Sequence, residues 1–136
     1  MKKFLSILLA LTLVVGMLTS FSVSAAENTT TFYNAETNET ITSLDDVTSI
    51  YATTTFTGRY EDNASVIISH YTMDGKLTKV EFIVPVESTI GASVTYTTPE
   101  FSVEGTDIIK IFAWTGVETI KPLLKFPGTI ERELLE

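Results

Sequence analysis

From Thr48 onward, apolar positions recur at every second residue. Ile50, Ala52, Thr54 and Phe56 alternate with Tyr51, Thr53, Thr55 and Thr57. This period of two, rich in β-branched side chains, predicts a strand with one face inward. Gly58 and Glu61-Asp62-Asn63 mark a turn. Residues 65–73 (SVIISHYTM) and 76–84 (KLTKVEFIV) then read as two strands joined at Asp74-Gly75. Asp-Gly between apolar runs is a strong hairpin signal, because the central residues of such a turn take positive φ. Pro85 cannot donate to a ladder, so it ends the return strand or places it at an edge.

A two-residue loop fixes the register of this hairpin. It sets Met73 opposite Lys76, Tyr71 opposite Thr78, Ser69 opposite Val80 and Ile67 opposite Phe82, on a face that reads as core. The other face sets Ile68 opposite Glu81 and His70 opposite Lys79, and reads as partly wet. Residues 91–101 (GASVTYTTPEF) predict a further strand, and residues 108–114 (IIKIFAW) the most apolar and central one. Ile67, Tyr71, Val80, Phe82, Ile109, Ile111 and Phe112 are the expected core, with Trp114 at its margin. Residues 115–124 predict one helical turn before Pro122 stops it, and the tail from Phe126 a short helix or a frayed end. Strands without alternating helices exclude a doubly wound fold. Together they predict an all-β fold: an immunoglobulin-like antiparallel β-sandwich of about seven strands.

The chain ahead of this pattern differs. Lys2 and Lys3 precede a run from Phe4 to Leu18 that is apolar except at Ser6, Thr12 and Gly16, and Val23-Ser24-Ala25 follows. A basic start, a short apolar stretch and small residues predict a secretory signal peptide helix over 1–25, cleaved after Ala25. The run is short of the roughly 20 apolar residues of a membrane span. Residues 26–46 are polar and read as a leader, disordered or laying one short strand on the domain edge, 47–125 as the sandwich domain and 126–136 as a C-terminal tail. The expected location is extracellular, released or loosely associated with a cell wall, and the pattern fits a bacterial exporter.

Composition narrows the chemistry. The 136-residue chain has no cysteine and a formal net charge of −8, and loss of Lys2 and Lys3 makes it more acidic still. Without cysteine the core holds itself together without disulfides, and an acylated-cysteine anchor is excluded. An acidic chain is a poor partner for nucleic acid or an anionic membrane, and no second apolar stretch spans a membrane. One histidine and no cysteine leave no ordinary zinc site. Glu61-Asp62-Asn63 lacks the full pattern of a calcium loop. His70 is expected at the surface opposite Lys79, a poor orienting partner for a nucleophile–base pair, and no nucleophile-elbow motif is present. No catalytic, cofactor or metal residues are therefore assigned.

Three aromatics are candidate ligand contacts. Trp114, the only tryptophan, reads either as a core-rim residue or as a flat platform for a sugar ring. Tyr51 and Tyr96 would join it if all three lined one face. Thr53, Thr55 and Thr57, with Thr95 and Thr97, place threonines on single strand faces. Such an array suits an ordered lattice, ice or crystalline polysaccharide, but is more simply a solvated face of high β-propensity.

Ser65-Val66-Ile67-Ile68-Ser69-His70-Tyr71, Asp74-Gly75-Lys76-Leu77, Ile109-Lys110-Ile111-Phe112-Ala113-Trp114 and Lys121-Pro122-Leu123 occur in that order. This order resembles an immunoglobulin-like or fibronectin-III-like module of exported cell-surface proteins of clostridia and related Firmicutes, over residues 48–124. The resemblance implies a β-sandwich without catalytic residues. The functional expectation is a secreted, non-catalytic module with a binding or structural role at the cell envelope, its partner an envelope protein or polysaccharide. The alternative is a carbohydrate-binding module using exposed aromatics.

Overall fold

A computed structural model describes residues 28–58, 63–115 and 121–134, with the backbone alone at Val84 and Pro85. The expected signal peptide, most of the Glu61-Asp62-Asn63 turn and residues 116–120 lie outside the described residues. Ten strands follow in order: β1 Thr29–Asn34, β2 Thr40–Ile41, β3 Ser49–Thr57, β4 Ala64–Tyr71, β5 Leu77–Val86, β6 Ser93–Thr97, β7 Phe101–Ser102, β8 Ile108–Thr115, β9 Lys121–Pro122 and β10 Gly128–Glu131. Seven span four residues or more, and β2, β7 and β9 have two each.

They form two five-stranded antiparallel sheets. The first runs β2-β1-β3-β6, with β7 also pairing β3; the second runs β10-β8-β4-β5, with β9 also pairing β8. Among the long strands, three face four, with hairpins and crossovers in the order of an immunoglobulin-like sandwich. The all-β prediction is thus observed, and five of the seven long strands lie where alternation places them; β1 and β10 lie in the segments read as leader and tail. β8 is central, as its composition predicts, and β5 is an edge strand, where Pro85 is tolerated.

Two segments differ from the sequence reading. Residues 28–46, read as a leader with at most one short strand on the domain edge, carry two strands: β1 pairs with β3 from Thr29↔Thr55 to Asn34↔Ile50, and Phe32 is buried. Only one large apolar residue in β1 faces inward, so alternation there is nearly invisible. The tail is not helical either, since β10 pairs with β8 and buries Ile130 against Ile109. Residues 121–122, expected in a helical turn, form β9.

Between the sheets lie Phe32, Ile50, Ala52 and Phe56 from the first and Val66, Ile68, Ile109, Ile111 and Ala113 from the second. Leu44, Phe101, Val103 and Leu123 close the ends. Two glycines allow close approaches. A Cβ on Gly58 would stand 2.2 Å from the Thr89 carbonyl oxygen, and one on Gly128 would stand 2.3 Å from Thr30 Cβ.

The β4–β5 register is as predicted over Ile67↔Phe82, Ile68↔Glu81, Ser69↔Val80 and His70↔Lys79, but it is reached differently. Thr72 N–H donates to Lys76 O and Gly75 N–H to Thr72 O. The loop is therefore one residue longer than a two-residue turn, and Gly75 alone in it takes positive φ. Tyr71 pairs with Leu77 rather than Thr78, and an irregularity between His70 and Tyr71 restores the predicted pairing.

The face assignment is reversed. β8 alternates strictly, with Ile109, Ile111, Ala113 and Thr115 buried, and its register places His70, Ile68, Val66 and Ala64 beside them. The face carrying Ile68 and His70 is the sandwich interior. Of the expected core, Ile67, Ile109 and Ile111 are buried, Tyr71 and Phe112 are half-buried, and Val80 and Phe82 are exposed. The physical reason is that β4 is buried on both faces from Ala64 to His70, so its own alternation carries no sign.

Candidate functional site

The reversal leaves an apolar band on the outer face of the second sheet. Cross-strand pairing puts Phe82, Ile67 and Phe112 in one row over β5, β4 and β8. The adjacent row on the β9 side holds Ser65, Trp114 and Pro122. The Phe112 and Trp114 rings lie 5.6 Å apart, tilted by 53°. Phe82 is 59% exposed, and Ile67 is covered by its neighbours although it faces outward. On the other side of the Ile67 row stand Val80, Ser69 and Lys110, with Lys110 Nζ 5.3 Å from the centre of the Tyr71 ring. Ser65 Oγ, on the residue paired with Trp114, is buried and has no hydrogen-bond partner.

The outer face of the first sheet is polar and uncharged. Thr29, Thr55 and Thr95 form one row, Thr31, Thr53 and Thr97 the next. Thr55 and Thr95 hydroxyls are 3.0 Å apart, and those of Thr53 and Thr97 3.1 Å. At one end Tyr33 and Tyr51 stack with centroids 4.9 Å apart and an interplanar angle of 9°.

The three predicted aromatic contacts do not meet. Trp114 is half-buried on the outer face of the second sheet, and Tyr51 is on the outer face of the first. Tyr96 pairs with Thr54, an inward position, and packs against the core. A line of Trp114, Tyr51 and Tyr96 on one surface is therefore not formed.

His70, expected at the surface, is 2% exposed. Its Nε2 lies 3.2 Å from Glu81 Oε1 and its Nδ1 3.1 Å from Thr106 Oγ1. A carboxylate only accepts, so Nε2–H donates to Glu81 and the Thr106 hydroxyl donates to Nδ1. Phe101 meets the ring edge-on. Burial holds the His70 pKa below its ordinary value, against the opposing pull of Glu81. Burial raises Glu81, but the Lys79 ammonium 2.6 Å away, with His70 behind it, brings its carboxyl below the usual range. Thr106, His70 and Glu81 stand in the order of a nucleophile–base–orienter triad, yet Thr106 is 4% exposed. The group packs and bonds the sandwich interior. Of His70, Lys79 and Glu81, only His70 is closed off from solvent; Lys79 is exposed and Glu81 half-buried at the β5 edge.

Among the described residues no cluster of three or more His, Asp or Glu is placed to hold a metal ion, and no helix is long and apolar enough to cross a membrane. No family profile, curated protein or solved structure matches the chain.

The apolar band was missed because its residues were assigned to the interior. Lys110 was the available signal: the single charge in the most apolar strand marks that strand's outer face, and with it Phe112 and Trp114.

Proposed function

We propose that this chain is an exported, non-catalytic module that binds a protein of the cell envelope. The observation that carries the proposal is the apolar band of Phe82, Ile67, Phe112, Trp114 and Pro122 on an outer sheet face. Exposed Phe82 with half-buried Phe112 and Trp114 gathered in one band mark an interaction surface, whereas scattered apolar residues are ordinary. Phe and Trp are also the side chains that dominate interface energetics. The basic-apolar-small order of residues 1–25 supports export. The internal bonding of His70, the only histidine, supports a role without acid–base chemistry. The resemblance of residues 48–124 to surface modules points the same way.

Trp114 sits inside the band and reports on it. Titration of the chain lacking residues 1–25, which holds every described strand, with envelope fragments is expected to shift or quench Trp114 emission. Emission that ignores the fragments at every concentration overturns the proposal.

A further inference from the structure

We infer that the outer face of the first sheet is a second binding surface, taking an uncharged polysaccharide whose chains are extended and ordered. It is independent of the apolar band, which lies on the opposite side of the sandwich.

Charge is the first argument. The chain carries 17 acidic residues against nine basic ones. Yet every outward residue paired from the Tyr33–Tyr51 row to Thr57 and Ser93 is Thr, Ser or Tyr. Among the described residues, acids flank this face beyond the tyrosines, where Glu100 accepts from Ser49 and Glu36 from Thr48. A face selected for β-propensity and solubility alone would carry Lys or Glu, above all on β6, an exposed edge strand. A neutral face in an acidic molecule is complementary to a neutral polymer. It offers nothing to a polyanion, which the rest of the surface repels.

Geometry is the second. Strand spacing of about 4.8 Å and a two-residue repeat of about 6.6 Å give a regular grid of hydroxyl and methyl groups. The Thr53–Thr97 and Thr55–Thr95 bonds fix the hydroxyls across two strands. Each bonded pair uses one O–H, so each keeps one donor and acceptor capacity toward solvent. The inward partners Phe32, Ala52 and Phe56 are buried, so the grid stands on a packed core. All its threonines are exposed or half-exposed. Repeated hydroxyls and C–H faces on an ordered polymer match repeated hydroxyls and methyls on the sheet. Many weak contacts then add with little further loss of side-chain freedom.

Cosedimentation of the chain lacking residues 1–25 with microcrystalline cellulose and chitin powder tests the inference, with soluble polygalacturonate as charged competitor. Retention on at least one of the two powders is expected, undiminished by the competitor. A Thr53→Lys/Thr95→Lys variant, with wild-type Trp114 emission as the check of folding, is expected to weaken it about tenfold, or about 1.4 kcal/mol. The milder Thr55→Val is expected to weaken it less. Phe82→Lys is expected to leave it unchanged, which separates this surface from the band. Retention on neither powder, retention indifferent to the threonine variants, or thermal hysteresis of ice without retention on either powder overturns the inference.

Discussion

His70 is held by two opposing demands. Its burial disfavours the charged ring, while Glu81 favours it, and burial prevails. The unfolded chain therefore binds the His70 proton more tightly than the folded one. That contribution to stability is complete above the ordinary pKa of 6.5 and is lost as pH falls below it. Urea unfolding is expected to show lower stability at about pH 5 than at about pH 7.5, and His70→Gln is expected to flatten the difference. The Glu81 contribution, present above its ordinary 4.5, is lost only at lower pH, so this window isolates the histidine. Ser65 presents the opposite case. Its buried hydroxyl has no partner, so Ser65→Ala removes a desolvation cost of about 1–3 kcal/mol. The variant should melt no lower than the wild type; a drop of several degrees would mean that the hydroxyl is bonded. Neither environment was legible in the sequence. His70 sits between Ser69 and Tyr71 in a strand buried on both faces, so periodicity does not tell in from out. Ile109 and Ile111 were legible because Lys110 stands between them.

At the scale of elements, β1 decides whether the sheet can form. It supplies the neighbour of β3 along six paired positions and brings Phe32 into the core. Phe32→Ala is expected to cost about 3–5 kcal/mol in chemical denaturation. A cost near zero would return residues 28–34 to the role of a leader. The polar composition of this segment hid the strand, because its outward threonines and tyrosines look like linker when read without their partners. β10 was hidden by brevity: four residues with one inward apolar side chain show no period. The β4–β5 hairpin was legible in register but not in loop length. Asp74-Gly75 announces a turn, while only the Thr72 bonds reveal the extra loop residue. The end of β3 packs against the β5–β6 connection at Gly58, whose missing side chain admits the Thr89 carbonyl. Gly58→Ala is expected to destabilise by about 1–3 kcal/mol, checked by the shift in denaturation midpoint.

At the scale of the molecule, the sandwich separates two chemistries. One outer face carries an apolar band with aromatic rings, with Glu131 at its β10 edge, and the other a neutral grid of hydroxyls. The fold class and the central strand followed from alternation and turn residues. The faces did not, because a sandwich's outer surfaces are defined by which strands pair, and pairing between distant segments leaves no local mark. The Thr53, Thr55 and Thr57 repeat was visible in the sequence. Its extension across β1 and β6 into rows required the register. The central claim is that the apolar band binds the envelope, and it is tested most directly by retention on isolated envelope fragments. The chain without residues 1–25 is predicted to be retained, Phe82→Lys to lose about tenfold in affinity, and Glu104→Gln, on an exposed turn outside both surfaces, to bind as the wild type does. Equal retention of wild type and Phe82→Lys, or none for either, would contradict the account.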